Sequence, residues 1–149
     1  MFSYKTGDLL AHDAQALVNA VNCVGVMGKG IALQFKKKFP QNFDSYVVAC
    51  NKKEVNPGIV HIFQTNTLFN PQFIINFPTK RDWKDSSRIE DITSGLDSLR
   101  NVIKKHHITS IAIPPLGCGM GGLNWDEVKI LIIEYLGMLE DVEVILFEP

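Results

Sequence analysis

The sequence predicts an α/β protein: a three-layer α/β/α sandwich around a mixed, mostly parallel sheet. Short apolar runs alternate along the chain with longer segments whose apolar residues recur at helical spacing. The short runs are near-continuously apolar, as expected of strands covered on both faces. Two glycine-rich loops, Asn19–Gly30 and Pro114–Gly122, each lie between a strand-like run and a helix-like run.

Taken in order, a short strand near Ser3–Lys5 precedes an apolar strand, Ala16–Val21. The first glycine-rich loop leads into a helix, Ile31–Phe39, which Pro40 stops. A second helix, Asn42–Lys53, ends before the turn signal Asn56-Pro57-Gly58. Strands Ile59–Gln64 and Phe73–Phe77 follow, separated by a turn at Asn70-Pro71. The clearest helix is Arg88–His106, where Ile89, Ile92, Leu96, Leu99 and Ile103 form one stripe. Ser87 and Glu90 have capping-box spacing at its start. A strand, Ile108–Ile113, enters the second loop. The last helix carries Trp125, Val128, Ile132, Tyr135 and Leu139, with Asn124 as its cap, and a strand Val142–Phe147 closes the chain.

The 149 residues fit one domain, 1–149, with no repeat, low-complexity tract or linker. No apolar run is long enough to cross a membrane, and the MFSYKTGD start lacks a signal-peptide pattern. Cys23, Cys50 and Cys118 are odd in number and widely spaced, so they read as reduced thiols of a cytoplasmic protein. His12, His61, His106 and His107 are scattered, and no metal site or cofactor is expected. A net charge of −1 gives nucleic acid no global attraction, so any such contact needs a local patch. A monomer is expected.

Glycine-rich backbone approaches a phosphate closely and supplies N–H donors. Two such loops in one short chain point to a ligand with two phosphates, gripped from both sides. Gly28-Lys29-Gly30 is not a P-loop, because Gly30 stands where that motif needs Ser or Thr and Cys23 replaces its first Gly. Gly117, Gly119 and Gly122 satisfy G-x-G-x-x-G. A dinucleotide fold, however, places that fingerprint in its first βα turn, and here only one helix and one strand remain.

Thr6-Gly7-Asp8-Leu9-Leu10, Val18-Asn19-Ala20-Val21-Asn22 and Ile113–Gly122, in that order, make the whole chain resemble a macrodomain, the ADP-ribose-binding module. It lacks the run of three glycines that the common deacetylase type carries after its Asn pair. Asn22, the segment Asn76-Phe77-Pro78-Thr79-Lys80-Arg81-Asp82-Trp83 and Gly117-Cys118-Gly119-Met120-Gly121 look most like the DarG subgroup, antitoxins that remove ADP-ribose from thymidine in DNA. A cousin, the terminal ADP-ribose protein glycohydrolase, shares the Lys at position 80. It has an Asp where this chain has Gly121, a departure that argues against cleavage of glutamyl esters.

The resemblance implies an ADP-ribose site built from Asp8, Leu9, Asn22, Gly28, Lys29, Gly30, Ile31 and Ala32 on one side. Pro115, Leu116, Gly117, Cys118, Gly119, Met120 and Gly121 form the other. Asp8 either caps a turn or accepts a hydrogen bond from the adenine amino group. Asn22 either organises its own turn or holds the distal ribose. Lys80 leaves the carboxyl end of an apolar strand, where α/β sites lie, and the resemblance makes it catalytic together with Asn22. Arg81, Trp83, Lys84 and Arg88 form a basic stretch with an interleaved aromatic, read either as a solvated edge or as a DNA contact. Lys36-Lys37-Lys38 reads as a solvated helix end, and Cys23 and Cys118 as small thiols rather than nucleophiles.

The implied substrate is ADP-ribosylated thymidine in single-stranded DNA, the product of a DarT-type toxin. Two other readings remain: a hydrolase of ADP-ribosylated protein or acylated ADP-ribose, and a non-catalytic ADP-ribose reader.

Overall fold

The computed structural model describes all 149 residues. Six strands are formed: β1 (Phe2–Lys5), β2 (Ala16–Val21), β3 (His61–Gln64), β4 (Phe73–Pro78), β5 (Ser110–Ile113) and β6 (Glu143–Phe147). They make one sheet in the order β1-β6-β5-β2-β4-β3. All neighbours run parallel except the edge strand β3, which is antiparallel to β4. The sheet is therefore mixed and mostly parallel, as the apolar runs indicate.

Four helices cover it: α1 (Gly30–Lys38), α2 (Pro40–Asn51), α3 (Ile89–Lys105) and α4 (Trp125–Leu136). Alternation along β2 divides the core. Ala16 and Val18 pack with Leu96 and Leu99 of α3 and Ile132 of α4, whereas Leu17 packs with Phe35 of α1 on the opposite face. Val21 continues that second face against Tyr46 and Ala49 of α2. Burying apolar area is worth about 25 cal/mol per Å2, so these two layers supply most of the driving force.

Several boundaries shift for local reasons. Pro40 does stop α1, but it also occupies the first turn of α2, where its missing N–H has no intrahelical role. The third strand begins at His61 rather than Ile59, because Asn56 and Ile59 form an isolated bridge closing the preceding turn. The capping box at Ser87 and Glu90 does not form. Arg88 holds the cap position without a side-chain bond, and the Ser87 backbone N–H donates instead to Gly121 O at 2.9 Å. The Asn124 cap does form, with its side chain accepting from Glu127 N at 3.2 Å.

A buried polar cluster lies between the sheet and α2. Asn19 and Asn76 stand side by side on β2 and β4. Asn19 Nδ2 donates to Asn76 Oδ1 at 3.2 Å, and Asn76 Nδ2 donates to Asn42 Oδ1 at 2.8 Å. The same Nδ2 lies 3.0 Å from His61 Nδ1, and Ser45 Oγ lies 3.3 Å from His61 Nε2. Buried amides need partners, and here they supply one another, with Asn19 Oδ1 alone left unpaired.

Candidate active site

The β2–β5 ladder pairs Ala16 with Ile111 and Leu17 with Ala112, and goes no further. β2 continues to Val21 with β4 alone as its partner. The first loop leaves β2 for α1 on one face, and the second leaves β5 towards α4 on the other. A crevice at such a switch point, outside the carboxyl ends of the strands, is where α/β sheets take ligands. A cavity of about 640 Å3 occupies it. An adjoining cavity of about 410 Å3 shares Ile31, Pro114, Pro115 and Pro149 with the first.

Charge divides the crevice into two ends. Lys29, Lys80 and Lys84 are the only ionisable lysine, arginine, aspartate or glutamate side chains lining the larger cavity. Asp8 and Glu148 line the smaller one. Asp8 caps the 3-10 turn Leu9–Ala11, its Oδ1 accepting from Leu10 N at 3.0 Å. The residue is exposed and lines the smaller cavity, and its second oxygen accepts no hydrogen bond within the protein.

The first loop presents an open helix end. Lys29 caps α1 without a side-chain bond, and the first turn holds no acidic residue, so its free N–H groups and positive dipole end are available to an anion. The second loop offers donors of another kind. It closes as a 3-10 turn, Gly119–Gly121, and the start of α4 is already filled by Asn124 with Asp126 and Glu127 beside it. Its donors are therefore loop N–H groups, not a helix end. Gly119 has φ of +67°, and a Cβ placed there would meet nothing within 4 Å. Its open side is the cavity.

Asn22 is 7% exposed and organises the first loop. Its Oδ1 accepts from Val24 N at 3.1 Å and Val26 N at 3.3 Å, and its Nδ2 donates to Val26 O at 2.7 Å. Tyr46, fully buried on α2, shares its O–H between Asn22 O at 2.7 Å and Oδ1 at 2.8 Å. Burial is the main cause that pushes the Tyr46 hydroxyl above the ordinary range, so it stays a donor. The turn reading of Asn22 is thus what the geometry displays, with one Nδ2 hydrogen unused in a residue that lines the cavity.

Lys80 is stitched to the same loop by backbone. Thr79 N donates to Val21 O at 2.8 Å, Lys80 N to the same oxygen at 3.4 Å, and Cys23 N to Arg81 O at 3.2 Å. The three ion pairs in the molecule, Arg81–Asp91, Arg100–Asp97 and Lys129–Glu148, leave Lys80 out. Arg81 departs from the expected free basic edge. Its Nε and Nη2 each lie 3.2 Å from a carboxylate oxygen of Asp91, which is 6% exposed. The Asp91 hydrogen bond and charge hold the guanidinium pKa up. Arg81 is therefore a clasp between the Lys80 segment and α3.

Of the other expected residues, Gly28, Gly30, Ala32, Gly117, Cys118, Met120 and Gly121 line the larger cavity, as do Trp83 and Lys84. Leu9 lines the smaller. Leu116 lines neither, because its side chain is wholly buried in the α3–α4 core. Arg88 is exposed outside both. Cys23 is pushed up to about 11, by burial first and then by Cys50 and Asp91, and Cys118 is raised by burial, so neither is a ready thiolate. Tyr46, Thr79 and Ser87 belong to the site and were not expected. Tyr46 had a signal in the Asn42, Tyr46, Ala49 stripe of α2; Ser87 was assigned to a cap.

The Macro domain family profile matches residues 18–132. The chain is 47% identical over its full length to the DNA ADP-ribosyl glycohydrolase of Mycobacterium tuberculosis, covering 42% of that protein. The solved macrodomain of Thermus aquaticus DarG superposes with a TM-score of 0.97 at 48% identity, covering 100% of this chain and 99% of that one. Thermosipho africanus DarTG, solved in complex with ADP-ribose, matches with a TM-score of 0.90 at 38% identity, covering 99% of this chain and 41% of that one. The chain spans under half the length of its curated DNA ADP-ribosyl glycohydrolase relatives. With this fold, this crevice and these matches, the chain belongs to the macrodomain family and is a macrodomain of the DarG type.

Proposed function

We propose that this chain binds ADP-ribose in the crevice and hydrolyses the bond joining it to thymidine in single-stranded DNA, reversing a DarT-type transferase. The observation that carries the reading is Lys80, a cation with no ion-pair partner beside Asn22 in a cavity lined by no aspartate or glutamate side chain. The adenine amino group faces Asp8, the diphosphate lies between the open α1 end and the N–H groups near Gly119, and the distal ribose reaches Asn22. Relatives named DNA ADP-ribosyl glycohydrolase, and a Thermosipho relative named as a transferase–glycohydrolase fusion, support the substrate and the partner.

In this reading positioning supplies most of the rate, since both loops fix the reacting C1″. Water adds at C1″ while thymine leaves through its ring nitrogen as an imide anion. Lys80 stabilises or protonates that base; as a neutral amine it would instead attack C1″ and form a Schiff base after ring opening. Trp83 and Lys84 at the mouth suit a stacked base and a DNA phosphate. Three unpaired cysteines support a reducing, cytoplasmic setting for this reaction.

Incubation with ADP-ribosylated single-stranded DNA, and separately with ADP-ribosylated protein, tests the proposal. Release from DNA alone is expected. Release from protein alone would make the chain a protein hydrolase, and binding without release a reader.

A further inference from the structure

Two buried side-chain polar atoms in the molecule have no hydrogen-bond partner, Asn19 Oδ1 and Ser87 Oγ. The first lies within the amide cluster under the sheet. The second does not: Ser87 is 8% exposed and lines the larger cavity together with Lys80, Trp83 and Lys84. An unsatisfied buried hydroxyl is costly, and its retention at a cavity wall calls for a partner from outside the protein.

Ser87 is fixed in place by its own backbone, whose N–H donates to Gly121 O at 2.9 Å. Gly121 makes room for the hydroxyl, which lies against the bare glycine with almost no accessible surface and reaches the cavity that Ser87 lines by a turn about χ1. A Cβ at 121 would collide with Ser87 Oγ, so the bare glycine and the hydroxyl share one space. The position is at the end of the crevice away from Asp8, which lines the adjoining cavity.

We infer that Ser87 is a ligand-contacting residue whose hydroxyl pairs with the distal ribose of ADP-ribose. The inference rests on the ADP-ribose reading of the crevice. A hydroxyl offers one donor and two acceptor sites, which complements a ribose diol. With adenine at Asp8 and the diphosphate between the loops, the distal ribose is the part of the ligand that reaches Lys80, Asn22 and Ser87. The neutral hydroxyl at this wall also leaves the lysines as the only formal charges there, suited to a departing anion.

Calorimetry of Ser87→Ala with ADP-ribose and with ADP, which lacks the distal ribose, tests the assignment alongside thermal melting without ligand. The expected result is about five- to tenfold weaker ADP-ribose binding, the size of one lost hydrogen bond. ADP affinity should be unchanged, and the melting temperature equal to or above that of the unaltered protein, because no protein partner is lost. An equal loss for ADP would overturn the ribose contact in favour of the diphosphate. Unchanged ADP-ribose affinity would overturn it altogether, and a lowered melting temperature would make Ser87 structural. Failure of the unaltered protein to bind ADP-ribose would instead remove the reading beneath it.

Discussion

Lys80 and Gly119 are the residues on which the proposed chemistry can be separated from binding. Lys80→Ala should abolish turnover of thymidine-linked ADP-ribose while leaving ADP-ribose affinity within a few-fold, because the amine acts on the departing base. Lys80→Arg keeps the charge but not a readily released proton, so kinetics of that variant distinguish electrostatic help from proton transfer or an amine nucleophile. Borohydride trapping then identifies the last. Gly119→Glu should remove ADP-ribose binding while the fold persists at a modest loss of stability. A Cβ at this position meets no protein atom within 4 Å and lies at the cavity proposed for the diphosphate, so the main cost is that of a left-handed residue, about 1–2 kcal/mol. Calorimetry and a melting curve check both halves. The proposed role of Lys80 came from the resemblance, whereas its place at a strand end was legible in the sequence because an apolar run marks that strand. Arg81 was not, because nothing local announces that Asp91, ten residues on, lies buried within reach of its guanidinium. A positive residue in a basic stretch looks free until its partner is seen.

At the scale of elements, loop one depends on α2 more than on α1. The Tyr46 hydroxyl on α2 holds both oxygens of Asn22, which in turn holds Val24 and Val26. Tyr46→Phe leaves those buried acceptors without that donor, and unfolding in urea should show a loss of about 1–3 kcal/mol. ADP-ribose should also bind more weakly, because the open end of α1 is presented by that loop. Strands, helices and their order were readable from periodicity, which reports burial directly. The 3-10 turns at Leu9–Ala11 and Gly119–Gly121 were not, since three residues show no period. The start of α3 misled for a related reason. Cap spacing is a local signal, and the tertiary bond from Ser87 N to Gly121 O overrides it.

Across the whole molecule, the buried cluster makes stability depend on pH. Burial lowers the His61 pKa from its usual 6.5, against a smaller opposing pull from Glu54. Its Nδ1 accepts from Asn76, so a proton there would set donor against donor. Between the folded pKa and 6.5 the unfolded chain binds a proton that the folded chain does not. The His61 contribution is thus complete above about pH 6.5, falls as pH drops, and levels off below the folded value. Melting curves between pH 7.5 and 5 should show that decline, and His61→Gln should flatten it.

The short β2–β5 ladder carries a further consequence. Strand pairing joins two half-sheets, β1-β6-β5 and β2-β4-β3, at Ala16–Leu17 and Ile111–Ala112, with side-chain bonds from Gln15 to Thr109 and Ser110 just before them, and each half carries one glycine-rich loop. A ligand spanning both loops acts as a splint across that seam. It bridges the strands where the sheet stops bridging them, so occupancy should stiffen the molecule as a unit. A hundredfold excess over the dissociation constant would add about 2.7 kcal/mol to unfolding. The amides of β2 and β5 should then be the ones whose exchange with solvent slows most.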